Sequence, residues 1–213
     1  MANTTKNAPI DHIVWAVPDL TEGINQIKEM TGIAPVYGGR HLQFGTHNAL
    51  MRLGNRCYFE VIAPDPANRE VAPPRWMGVD LISSGQITRW ALASDNLMLH
   101  ANHLQSLNKD LSMITEGRRQ TASGELLRWQ LTVPQAKPVC EPIPFLIDWQ
   151  DSIHPSDNLP DSGRLVSFKV TTSDPGELTR LLMLLGNETE VIAGSKTKLE
   201  LVMDTPKGLV TIC

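Results

Sequence analysis

His12, His47 and Glu60 are the side chains whose types and spacing could do chemistry. His12 lies in "APIDHIVWAVPDL", and His47 and Glu60 lie in "GTHNALMRLGNRCYFEVIAPDP". Both segments read as β-strands of one small sheet. Two imidazoles and a carboxylate, brought together, hold a divalent metal such as Zn, Mn, Ni or Fe and leave positions open for substrate. Glu60 is the strongest signal of the three. It sits in an apolar strand, where a lone carboxylate is costly, so it calls for a metal, a cation or a proton. Without a metal it is a candidate catalytic base. The expected metal set is therefore His12, His47 and Glu60, with Glu60 catalytic in either case. His12 also has a purely structural reading, as a core histidine satisfied by Asp11.

Strand register decides which of these meet. Side chains alternate faces along a strand. His12, Val14 and Ala16 share one face of the first strand, and the bulkier Ile13, Trp15 and Val17 share the face that suits packing under a helix. A two-residue Gly54-Asn55 turn would set Met51 opposite Tyr58, Ala49 opposite Glu60 and His47 opposite Ile62. His47 and Glu60 would then be diagonal neighbours about 7 to 8 Å apart. A three-residue turn would slip the register and send His47 to the other face.

The elements recur along the chain. Segments starting at residues 10, 87 and 165 each open with alternating apolar residues and run into a Pro-Asp or Ser-Asp pair before a helical pattern. In the first, Asp19 or Thr21 caps a stripe of Ile24, Ile27 and Met30, and Gly32 closes it. In the third, Ser173-Asp174-Pro175 opens a helix in which Leu178, Leu181, Leu182 and Leu185 recur before Gly186. Short strands with turn signals follow each helix. The unit is strand–helix–strand–strand–strand, written three times: 1–66, a linker or lid over 67–86, 87–152, a linker over 153–164, and a shorter 165–213. The fold class expected is α+β, with repeated βαβββ units forming a curled mixed β-sheet around a cleft and helices outside.

Composition narrows the function. Lys plus Arg is 19 against 23 Asp plus Glu, and the densest basic cluster is Arg118-Arg119, so a nucleic-acid partner is not expected. No apolar run approaches the ~18 residues of a membrane span, and "MANTTKNAPID" lacks the apolar core of a signal peptide. Cys57, Cys140 and Cys213 form no CxxC pair and read as reduced thiols of a cytoplasmic protein. The chain has no GxSxG and no GK[ST] loop, which weighs against a serine hydrolase or a nucleotide enzyme. His100 and His103 form an HxxH without a Glu beside them, better read as a packing or solvated face.

With "DHIVWAVPDL" on its first strand and "CYFEVIAP" on its last, the leading unit resembles the vicinal oxygen chelate superfamily, the fold of glyoxalase I and the bleomycin-resistance proteins. More narrowly, "GGRHLQFGTHNALMRLGNRCYFEVIAPDP" and "PFLIDWQDSIHP" resemble the glyoxalase-like domain family. The resemblance covers nearly the whole chain from residue 10. It implies that two units pair around a shared cleft, that strands one and four of each supply metal ligands, and that His12 and Glu60 match the first unit's ligands. The later units depart from the pattern. Aligned on the strand-ending Asp residues, Thr88 and Ser167 stand where a second His would be, and Ile147 or Asp148, and Thr211, where a second Glu would be.

Around this set, Arg40, His41, Asn48, Asp148 and Trp149 are candidates for substrate binding, His154 could face the same cleft, and Arg75-Trp76 could cover it or anchor the linker. Two functions are carried forward. The first is a metal-dependent lyase, isomerase or ring-cleaving enzyme acting on a small oxygenated metabolite, as a monomer or homodimer. The second is a metal-free protein that sequesters a small molecule.

Overall fold

The computed structural model describes residues 8–120 and 126–213. The first unit comprises β1 (Ile10–Ala16), α1 (Leu20–Thr31), β2 (Val36–His41), β3 (Thr46–Gly54) and β4 (Cys57–Pro64). The second comprises β5 (Gln86–Ala93), α2 (Leu97–Gln105), β6 (Ile114–Gln120), β7 (Leu126–Thr132) and β8 (Phe145–Asp148). The third comprises β9 (Arg164–Thr172), α3 (Pro175–Leu184), β10 (Glu190–Ala193), β11 (Lys198–Thr205) and β12 (Gly208–Ile212).

The helices begin and end where local chemistry dictates. Asp19 caps α1 by accepting from the Glu22 N–H at 2.9 Å, and Gly32, at φ 80°, closes it in the left-handed conformation that glycine adopts most cheaply. Asp174 caps α3 in the same way, with Pro175 in its first turn and Leu178, Leu181 and Leu182 buried.

Units one and two form one mixed eight-stranded sheet in the order β2-β3-β4-β1-β5-β8-β7-β6. It curls until its edges approach: Arg119 on β6 donates to the Gly38 carbonyl on β2, and the Gln43 amide donates to the Glu116 carbonyl at 2.8 Å. The third unit forms its own sheet, β10-β9-β11-β12.

Alternation sorts the core into two layers. Ile13, Trp15, Phe59, Val61, Trp90 and Leu92 point outward to the helices and the third sheet, where Phe168 meets Trp90 at 5.1 Å. Val14, Ala16, Leu50, Tyr58, Ile62, Ala91 and Phe145 point inward and line the concave face. Among the described residues no helix is long and apolar enough to cross a membrane.

One local expectation is corrected. The β3–β4 turn is Asn55-Arg56, not Gly54-Asn55, and the register shifts by one between Arg52 and Gly54. Arg56 takes φ 51° in this turn. Leu50, not Ala49, lies opposite Glu60, and Asn48, not His47, lies opposite Ile62. A one-residue slip moves every side chain to the opposite face.

Candidate functional site

The cleft centres on a run of hydrogen bonds that begins at Asp11. The β1–β5 pairing shifts register between Ile10 and His12, the kind of irregularity that re-aims a side chain. Asp11 is fully buried and accepts three times: from His12 Nδ1 at 2.6 Å, from Trp149 Nε1 at 3.0 Å and from His154 Nε2 at 3.1 Å. Burial alone would raise the Asp11 carboxyl, but the hydrogen bonds and charges of His12 and His154 outweigh it and hold the group at about 2. An ionised carboxylate only accepts, so His12 Nδ1 carries the proton and Nε2 is the atom turned to the cleft. His154 Nδ1 accepts from the Ser156 N–H at 3.2 Å, which assigns its proton to Nε2.

His12 Nε2 lies 3.7 Å from Glu60 Oε2. The other Glu60 oxygen accepts from Asn48 Nδ2 at 2.6 Å. The His12 ring is stacked on Tyr58 at 4.6 Å and meets Phe145 edge-on at 5.2 Å. Burial, with Asp11 and Glu60 nearby, pushes the Tyr58 phenol well above its usual range, so it stays an O–H donor. His41 also lines the cleft, with Nδ1 3.0 Å from Thr46 Oγ1. Burial first, then the charges of Arg119 and His12, pushes His41 down to about 3, so its ring is neutral. Arg119, buried on β6, is the cleft's cation and feels the Glu60 charge. The remaining free space is about 20 Å³, room for roughly one water.

Several expected residues lie elsewhere. The register slip carries His47 to the opposite face from Glu60, paired with Ala63, where its ring meets Tyr37 edge-on at 6.4 Å. Arg40 faces away as well and bonds Asp65 at 2.5 Å. Asp148 accepts from the Gln150 N–H at 2.8 Å and works as a turn residue outside the cleft. Asn48, His41 and Trp149 do line it. From the linker, Trp76 packs flat on Phe44 at 3.8 Å, donates to Thr46 Oγ1 at 3.0 Å and forms part of the cleft wall. Burial pushes the Cys57 thiol up to about 12, which makes it a packed group rather than a nucleophile.

Sequence reasoning missed Arg119 and Tyr58. Tyr58 was detectable, since it alternates with Glu60 on one strand. Arg119 was not, because Arg118-Arg119 reads as a surface pair until β6 is placed.

Metal fit turns on the second unit's contribution. The β1–β5 pairing matches His12 with Ala91 and Val14 with Arg89, so exchanging the two strands exchanges His12 with Arg89. In the parallel pairs, Val14 lies beside Glu60 and Ala91 beside Phe145. The second unit's counterparts of His12 and Glu60 are therefore Arg89 and Phe145. Aligning on the strand-ending Asp residues placed the first of these one residue away, at Thr88, and the second at Ile147 or Asp148. Arg89 donates to four backbone carbonyls, those of Thr88, Gln135, Pro138 and Val139, at 2.6 to 2.9 Å. A guanidinium and a phenyl ring cannot ligate a metal. The residues present do not fit a four-ligand centre, and among the described residues no group of three His, Cys, Asp or Glu side chains is arranged to hold a metal ion.

The comparisons with known proteins agree with this architecture. No curated protein matches the chain. A hypothetical protein from Staphylococcus aureus shares the fold at 16% identity and TM-score 0.60, covering 89% of this chain and 87% of its own. Methylmalonyl-CoA epimerase from Mycobacterium tuberculosis is similar at 17% identity and TM-score 0.45, covering 70% of this chain and 93% of its own. Residues 10–186 match the family described as glyoxalase-like domain, and the chain belongs to that family.

Proposed function

We propose that the cleft is a proton-transfer site acting on a small carboxylate or carbonyl compound with an acidic carbon beside the carbonyl, a lyase or isomerase reaction carried without a four-ligand metal centre. The observation that supports it is the run Asp11–His12···Glu60–Asn48, which ends at two atoms 3.7 Å apart facing a buried cation. Glu60 Oε2 takes the proton from carbon while Asn48 holds Oε1 in place. The electron pair moves onto the substrate carbonyl oxygen as an enolate, whose charge Arg119 offsets once the cleft, with about 20 Å³ free before binding, has widened to admit the substrate. Glu60 passes that proton to His12 Nε2, whose Nδ1–H is held by the Asp11 carboxylate, and His12 returns it to carbon or to a leaving group. Tyr58 supplies a phenol O–H that does not ionise.

The test is deuterium uptake from D₂O at the α-carbon, followed by NMR over a panel of small 2-oxo and 2-methyl carboxylic acids and their thioesters. Uptake by the wild type, lost in Glu60→Gln, is expected. Saturable binding of a panel member with no uptake would replace this reading with that of a sequestering protein.

A further inference from the structure

A second cavity of about 250 Å³ shares Trp129 with the cleft as a common wall. Arg118 on β6 and Arg128 on β7 line it, and they are direct cross-strand partners. Like charges held opposite one another destabilise a sheet unless something between them relieves the repulsion. Among the described residues Glu116 is the one acidic side chain on the wall, with Gln43 and Gln150 adding neutral amides. Trp129 belongs to this cavity and to the cleft at once. It is 4% exposed, and its indole N–H is a buried donor with no acceptor among the described residues. Such a donor is costly unless a ligand satisfies it. The room for this ring comes from Gly117: a Cβ there would lie 2.2 Å from the Trp129 Nε1.

We infer that this cavity is an oxyanion subsite, in which Arg118, Arg128 and the Trp129 N–H receive a phosphoryl or carboxylate group on the distal end of the substrate. Adjacent residues of one strand thus present two guanidiniums to different places: Arg119 into the cleft and Arg118 to the second cavity. Guanidinium forks suit either oxyanion. The inference rests on the proton-transfer reading only for what the oxyanion is attached to. It makes the substrate a compound with an anionic group at one end and the acidic carbon at the other.

The experiment titrates ¹⁵N-labelled protein with inorganic pyrophosphate and, separately, with citrate. It follows the Trp129 indole N–H signal, assigned by Trp129→Phe. A saturable downfield shift with at least one anion is expected, weakened about tenfold or more in Arg118→Gln/Arg128→Gln. Tighter pyrophosphate binding assigns a phosphoryl group, and tighter citrate binding a carboxylate. Gly117→Ala, which displaces the indole, should lose the binding, with its other amide signals reporting the fold. A Trp129 signal unmoved by both anions, or equal affinity in the double arginine variant or in Gly117→Ala, overturns the subsite. Glu60→Gln lacks the base yet should bind pyrophosphate like the wild type, so failure of the subsite and failure of the proton-transfer reading are distinguishable.

Discussion

Units one and two share a topology and a sheet, yet they bring opposite chemistry to the same cleft. Unit one contributes His12, Glu60 and Asn48, each held by a buried partner. Unit two has Arg89 and Phe145 at the counterparts of His12 and Glu60, and adds Arg119, Trp129 and Trp149. Repetition of a fold unit therefore does not repeat its function. In the proposed reading one copy carries the groups that move protons, and the other carries charge and shape. Arg89 shows how far the second copy has diverged, because its guanidinium now ties down the loop between β7 and β8 through three carbonyls. The third unit buttresses the convex side.

The comparison can be broken first at its active half. Glu60→Gln keeps the Asn48 contact and removes the base, so deuterium uptake should fall by about 10² to 10⁴-fold with the thermal midpoint little changed. The reverse manipulation restores symmetry. Arg89→His with Phe145→Glu adds the two missing donor types, and chelator competition should show roughly 100-fold tighter divalent metal binding than the wild type. Equal affinity would mean that the two halves are not counterparts.

Asp11→Ala leaves the His12, His154 and Trp149 donors without an acceptor. A loss of about 3 kcal/mol in denaturant unfolding is expected, together with slower uptake because His12 loses its orientation. The sign of the pH dependence follows from the carboxyl being held at about 2 against an ordinary 3.8. Its ionised form stabilises the fold above 3.8, and this contribution, about 2 kcal/mol, is lost as the pH falls through 2. The wild type should show that slope and Asp11→Ala should lack it. A second pH effect, over a wider range, concerns His41, held at about 3 against 6.5. The unfolded chain takes up this proton first, so stability declines as the pH falls from 6.5 towards 3. His41→Gln should flatten that part of the acid-unfolding curve.

Much of this was legible in the sequence because local rules dominated. Asp19, Gly32, Asp174 and Pro175 announce their helices, and the alternation along residues 12–17 assigns the two faces of β1. The candidate site was legible only in part. His12 and Glu60 follow from residue type, but the shift between Arg52 and Gly54 leaves no mark in composition, and it is what replaces His47 with Asn48 beside Glu60. Arg119 and the orphan Trp129 N–H depend on closing the sheet from β2 to β6, a contact between strands far apart in the chain that no local pattern encodes.

The central claim is that unit one moves a proton with its own side chains. Its most direct test is the rate of deuterium uptake on one accepted substrate, measured on exhaustively chelated wild-type protein before and after one equivalent of Zn, Mn, Ni or Fe is returned. The account predicts the same rate before and after. Loss of uptake on chelation, with recovery on returning one of these ions, would contradict it and make His12 and Glu60 metal ligands instead.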